Sequence, residues 1–84
     1  MIVRMWEATV LPGRMDDAVQ WVRRDLVPRA LETPGCMAAE ILRHDGTPAR
    51  VMLMTRWDTP PRFEEGIPGT DVVSLARASQ YETV

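Results

Sequence analysis

Arg4, Trp6 and Trp57 are the residues of this 84-residue chain best suited to chemistry. Arg4 and Trp6 lie near the start of the first predicted strand, and Trp57 ends the third. If these strands pair antiparallel, the end of one lies beside the start of the other, which brings the three side chains together. A guanidinium stabilises developing negative charge and indole rings offer stacking surface, so the group predicts a pocket for a planar phenolate or enolate.

The residues that we assign to this pocket are, as catalytic groups, Trp57 and Arg4 and, as substrate-binding groups, Trp6, Leu53, Val22 and Tyr81. We expect Tyr81, in the C-terminal tail, to reach a partner subunit or to close the pocket. The alternative is that both indoles fill the hydrophobic core and that Arg4 extends to solvent at the sheet edge.

The single histidine and the single cysteine add little chemistry. His44 precedes the Asp45-Gly46 turn, where side chains are usually exposed, so we leave it outside the site. Cys36 has no partner for an internal disulfide and is interpreted as a small buried hydrophobic residue. The sequence carries neither a zinc-ligand cluster nor a dinucleotide fingerprint, and we therefore expect no cofactor.

Composition argues against two classes of partner. The net charge of −2 and a pI near 5.3 provide no positive field for a phosphate backbone, so we do not expect nucleic acid binding. No apolar run approaches the roughly 20 residues that span a bilayer, and no signal-peptide pattern opens the sequence. We therefore expect no membrane association and a cytoplasmic location.

Hydrophobic periodicity predicts the elements that position the site. Ile2–Leu11 is rich in β-forming residues and is stopped by the turn dipeptide Pro12-Gly13. From Arg14 to Leu31, apolar residues recur at steps of three and four, which indicates an amphipathic helix with a kink or break at Pro28.

The remaining predicted elements are a strand over Cys36–Arg43, a strand over Arg50–Trp57, a helix that begins near Pro61 and is interrupted after Glu64, a helical piece over Val72–Ala78 and a short strand over Gln80–Val84. The order β-α-β-β-α-β predicts an α+β fold of ferredoxin-like topology. Its four-stranded antiparallel sheet has the helices on one face. We treat residues 1–84 as one domain, since a chain this short supports one core.

Both faces of the predicted sheet are apolar, which suggests a homodimer. Val3, Met5, Met52 and Met54 point away from the face that the helices cover. An open apolar face of that size is unfavourable in water, and two sheets packed face to face would bury it. Glu7 and Arg56 are predicted on the same open face, as an ion pair that fixes the dimer register rather than as a general base.

Three stretches resemble the antibiotic biosynthesis monooxygenase-like family, part of the dimeric α/β-barrel superfamily. They are Val10-Leu11-Pro12-Gly13 before the helix, Thr33-Pro34-Gly35-Cys36 after it, and Val51–Trp57 followed by Asp58-Thr59. The resemblance covers residues 2–65. It implies a ferredoxin-like fold, a dimer whose two sheets form a barrel and, in some members, cofactor-independent oxygenation of polycyclic phenols or quinols.

Haem degradation, known in other members of the family, is not expected for this sequence. Family members commonly carry a histidine on the helix after the strand-ending tryptophan, and the stretch 60–78 contains none. Haem-degrading relatives place an asparagine on the first strand about where Trp6 stands here. Only Trp57 matches their characteristic positions.

The sequence therefore predicts a cofactor-independent monooxygenase acting on an aromatic, polyketide-type phenol or quinol between sheet and helices. One alternative is a non-catalytic small-ligand-binding or assembly module on the same fold. Another is a polyketide cyclase or isomerase with Arg4 as the electrophile.

Overall fold

A four-stranded antiparallel sheet with one helical segment on one face forms the structure, a computed structural model that describes residues 1–84. The elements are β1 (Ile2–Val10), α1 (Met15–Trp21), a π-helical turn (Val22–Leu26), α2 (Val27–Glu32), β2 (Cys36–His44), β3 (Arg50–Trp57) and β4 (Val73–Glu82). The strand order β2-β3-β1-β4 is that of a ferredoxin-like sheet, as predicted.

The helical segment runs through Pro28 without the predicted break. The backbone N–H of Val27 donates to the carbonyl of Val22, five residues earlier, which is the bonding pattern of a π-turn. Pro28 follows in the first turn of α2, where a missing N–H costs little. The wider turn thus replaces the expected kink and keeps the helix continuous.

The strand register confirms the predicted meeting of β1 and β3. Trp6 lies opposite Leu53, and Arg4 lies opposite Thr55. On this face of the sheet the side chains pack beneath the helical segment. The main hydrophobic cluster consists of Trp6, Ala8, Val10, Ala18, Val22, Leu26, Val51, Leu53, Val72 and Val73.

The predicted helices in the C-terminal third are wrong. Residues 58–72 form no helix, and the stretch Val72–Ala78, predicted as helical, instead supplies the first six residues of β4. β4 pairs with the whole of β1, whose free backbone edge would otherwise lack hydrogen-bond partners. We call residues 59–68, which cross the position expected for the second helix, the strap.

The face of the sheet away from the helical segment has no cover in the single chain, and we call it the open face. Only 14 of 84 residues are buried, and Leu75 and Tyr81 on this face are 67% and 60% exposed. The predicted Glu7–Arg56 pair is wrong, because the register places Arg56 opposite Val3. Glu7 instead accepts a hydrogen bond from Arg77 Nε at 2.5 Å and lies 3.7 Å from Arg50 Nη1.

Truncation of Leu53 tests the location of the core. Leu53 is fully buried in the main cluster, so Leu53→Ala should lower the free energy of unfolding by about 3 kcal/mol, through lost burial and a cavity. Leu31→Ala, at an exposed helical position, should change it by less than about 0.5 kcal/mol. Urea denaturation followed by circular dichroism measures both, and equal losses would place the core elsewhere.

Candidate functional site

Arg4 forms a two-pronged ion pair with Glu65 of the strap. Arg4 Nε and Nη2 donate to Glu65 Oε2 and Oε1 at 2.7 and 2.9 Å. Arg4 Nη1 donates to Gln80 Oε1 at 2.8 Å, from the residue directly opposite on β4. The side chains of Arg4 and Glu65 are 18% and 4% exposed. The hydrogen bond to Glu65 raises the pKa of the Arg4 guanidinium, although burial acts in the opposite direction.

The aromatic residues form two separate pairs instead of one wall. Trp57 packs against Phe63 of the strap, with ring centroids 5.9 Å apart. Trp6 packs against Trp21 of α1 at 5.8 Å. Trp57 is completely buried, and its indole Nε1 donates to Thr55 Oγ1 at 2.8 Å. Trp57 is therefore a core residue that presents one ring contact to the strap.

The other residues assigned to the pocket lie in two places. Leu53 and Val22 are buried with Trp6 in the main cluster. Their side chains pack against other core residues at the place where the sequence predicted a ligand. Tyr81 lies opposite Val3 on the open face, away from Arg4 and Trp57. It does not close the helix-side pocket, and a contact between Tyr81 and a partner subunit stays a prediction.

Side chains alone attach the strap to the rest of the protein. No backbone–backbone hydrogen bond involves residues 59–68. Arg29 of α2 donates to the carbonyl oxygens of Glu64 and Glu65 at 3.1 and 2.7 Å. Its guanidinium carbon also lies 5.6 Å from the centroid of the Phe63 ring, within range of a cation–π contact. β1, α2 and β3 thus each hold the strap through one side chain.

Two surface cavities flank the strap. One, of about 450 Å³, is lined by Thr33, Pro34, Thr59, Pro60 and Arg62. The other, of about 440 Å³, is lined by Arg29, Glu32, Thr33, Pro34, Arg62, Phe63 and Glu64. Phe63 contacts Trp57 and also lines the second cavity, so this cavity ends at the ring that packs on Trp57.

Sequence reasoning missed Phe63, Glu65 and Arg29, which complete the surroundings of Arg4 and Trp57. Glu65 is 61 positions from Arg4 and has no periodic relation to it. The one available signal was a carboxylate in a Pro- and Gly-rich stretch, directly after the point where the predicted helix is interrupted. No group of three or more His, Cys, Asp or Glu side chains is arranged to hold a metal ion.

A family comparison adds to this geometry. The model of the antibiotic biosynthesis monooxygenase family matches residues 1–65. The chain belongs to this family. The match to antibiotic biosynthesis monooxygenases covers β1 to β3 and the strap as far as Glu65, and it confirms the resemblance expected over residues 2–65. A comparison with curated protein sequences finds no match. None of the helices has the length and apolar character needed to cross a bilayer.

The reactivity of Cys36 tests the electrostatics at the start of β2. Burial raises the pKa of the Cys36 thiol, and a hydrogen bond with the backbone of Ala38 only partly offsets this effect. At pH 8 a smaller fraction should be thiolate than in a free thiol, because the folded pKa is the higher one. Alkylation by iodoacetamide should be slower than that of N-acetylcysteine amide, a cysteine without charged ends. Mass spectrometry measures both rates, and a faster Cys36 would contradict this environment.

Proposed function

We propose that this member of the antibiotic biosynthesis monooxygenase family is a cofactor-independent monooxygenase acting on an aromatic, polyketide-type phenol or quinol. One observation supports the proposal: the part-buried guanidinium of Arg4 donates two hydrogen bonds to the carboxylate of Glu65, two residues from the Phe63 ring that packs on Trp57. Such an arrangement binds a planar aromatic anion through charge and through ring stacking.

The proposed reaction needs only the substrate anion and dioxygen. The bound phenolate transfers electrons to dioxygen, a C–O bond forms at an activated ring carbon, and the O–O bond then breaks. One oxygen atom remains as a new carbonyl and the other leaves as water with the two hydrogens that the substrate loses. The substrate supplies all four electrons, so no external reductant enters the balance.

Arg4 acts in this scheme by stabilising the substrate oxyanion. An arginine guanidinium stays charged throughout the pH range in which phenols ionise. Trp57, fixed by its hydrogen bond to Thr55, supplies a ring surface that orients the substrate, while Trp6, Leu53 and Val22 form the dry wall behind it. These residues bind, orient and exclude water, which is what a substrate that itself reduces dioxygen requires.

Close packing favours a second candidate, a non-catalytic ligand-binding or assembly module. Trp57, Leu53 and Val22 are at most 1% exposed, and Glu65 already occupies the donors of Arg4. A polyketide cyclase or isomerase would use Arg4 as electrophile at the same place. Neither alternative consumes dioxygen, so one measurement separates them from the proposed reaction.

The proposed functional unit is a homodimer joined through the open faces of two sheets. Support comes from the half-buried apolar row of Val3, Met5, Met52 and Met54 and from the exposed Leu75 and Tyr81 on β4. An apolar sheet face of this extent needs a cover, and a second copy presents the same surface. The proposed location is the cytoplasm and residues 1–84 are taken as a single domain, both on the composition arguments given above.

Oxygen consumption tests the proposed reaction. Aerobic incubation with a panel of hydroxyanthrones and hydroxynaphthols should consume one dioxygen per substrate converted, recorded with an oxygen electrode. Arg4→Gln should lower kcat/KM by at least about 100-fold, because the oxyanion loses its charge partner. Arg24→Gln, at an exposed helical position, is the matched control and should retain the activity. Absence of consumption across the panel would contradict the monooxygenase assignment.

Self-association tests the proposed interface. The protein should sediment at micromolar concentration with the mass of two chains. Met54→Glu introduces a charge at the centre of the open face, beside Glu40 on β2, and should shift the sedimentation coefficient to that of a folded monomer. Leu31→Glu, on the exposed side of α2, should leave the dimer intact. A wild-type chain that sediments as a monomer would contradict this interface.

A further inference from the structure

We propose that the strap occupies the protein's own ligand site, with Phe63 and Glu65 standing in for a planar aromatic anion that displaces them. The location of the site rests on the function proposed above, whereas the displacement concerns binding alone. The ligand class follows from the two contacts that the strap makes, one to Arg4 and one to Trp57.

The contact to Arg4 specifies the polar end of the ligand. Both oxygens of Glu65 are engaged, one by Nε and the other by Nη2. Only a group with two coplanar oxygens sharing a negative charge reproduces this fork. An aromatic carboxylate has such oxygens, and so does the anion of a phenol with a neighbouring ring ketone. A simple phenolate, with one oxygen, would leave one donor of the guanidinium unpaired.

The contact to Trp57 specifies the aromatic end. The Phe63 ring packs against Trp57 and lies under the guanidinium of Arg29. A flat ligand ring in the same position would receive the same stacking and cation–π contacts. Phe63 and Glu65 are two residues apart on one short segment, so the segment presents a ring to Trp57 and a carboxylate to Arg4 at the same time. A single aromatic acid carries the same two groups.

The attachment of the strap permits exchange. Its removal breaks four side-chain hydrogen bonds, two from Arg4 and two from Arg29, and none between backbone groups. An anionic ligand restores the ion pair of the part-buried Arg4, while a neutral ligand would leave that charge unpaired at a large energetic penalty. Displacement therefore discriminates in favour of anions.

Binding of two matched probes, measured by calorimetry under nitrogen, tests the displacement. Anthraquinone-2-carboxylate carries the two-oxygen anion, and 2-(hydroxymethyl)anthraquinone is its neutral counterpart. Glu65→Gln removes the competing charge and should tighten binding of the carboxylate about tenfold, without the same effect on the neutral compound. Asp16→Asn, at an exposed position in the first turn of α1 and outside both cavities, is the matched control and should bind the carboxylate as wild type does.

A label in the wild-type chain gives a second readout that depends on no substitution. Phe63 is the only phenylalanine, so incorporation of 4-fluorophenylalanine gives a single fluorine resonance. Saturation with the carboxylate should move this resonance to the position of a solvent-exposed ring. If Glu65→Gln does not fold, Phe63→Ala should show the tighter binding in its place, because it removes the competing ring.

Three results would overturn the displacement: equal or weaker carboxylate binding by Glu65→Gln, a fluorine resonance that stays buried when the carboxylate is bound, or no binding of the carboxylate by any of these proteins. Because the measurements exclude oxygen, a failure to observe turnover leaves them unaffected. Conversely, tight binding of the carboxylate without movement of the Phe63 resonance would support a ligand site in this protein and contradict the displacement of the strap.

Discussion

The ion pair between Arg4 and Glu65 is the interaction on which the site depends. Neither charge is well exposed, so each group needs the other to offset the loss of water. The strap has no backbone hydrogen bonds of its own, and its path is therefore fixed by this pair, by Arg29 and by the ring of Phe63. A position that a helix occupies in the expected fold is here filled by a segment held through a few side chains.

The sequence was sufficient to predict four strands in ferredoxin-like order and the meeting of β1 with β3, but not the full extent of β4 or the strap. The alternation of β1 and β3 predicted that Arg4, Trp6 and Trp57 would lie on one face, and strand pairing placed them there. The pairing of Glu65 with Arg4 joins residues far apart in the chain and leaves no local pattern to read. Val72–Ala78 was predicted as a helical piece, yet the unpaired edge of β1 favours a strand, since tertiary pairing outweighs a weak local preference.

The two faces of the sheet differ in chemistry as well as in cover. Under the helical segment the packing is apolar and close, with the charged groups confined to its end near the strap. On the open face, Glu7 lies between Arg50 and Arg77 amid methionines. Arg56 lies on the same face as Glu7 but is too far along β3 to reach it, because the register places Arg56 opposite Val3. The alternation of residues within β1 gives the face of Glu7 but not the position of the neighbouring strands, so it could not show which arginine would contact the carboxylate.

The π-helical turn sets the directions in which the side chains of α2 point around the helix axis. Ala18, Val22, Leu26 and Ala30 are spaced by four throughout, whereas an ideal α-helix turns through about 400° in four residues and would carry such a row progressively around its axis. One underwound turn takes up part of that drift, so the row keeps facing the sheet. Arg29 directly precedes Ala30 of this row, and its guanidinium donates to two carbonyl oxygens of the strap. The four-residue spacing of the buried side chains therefore also sets the direction in which α2 presents the arginine that holds a distant loop.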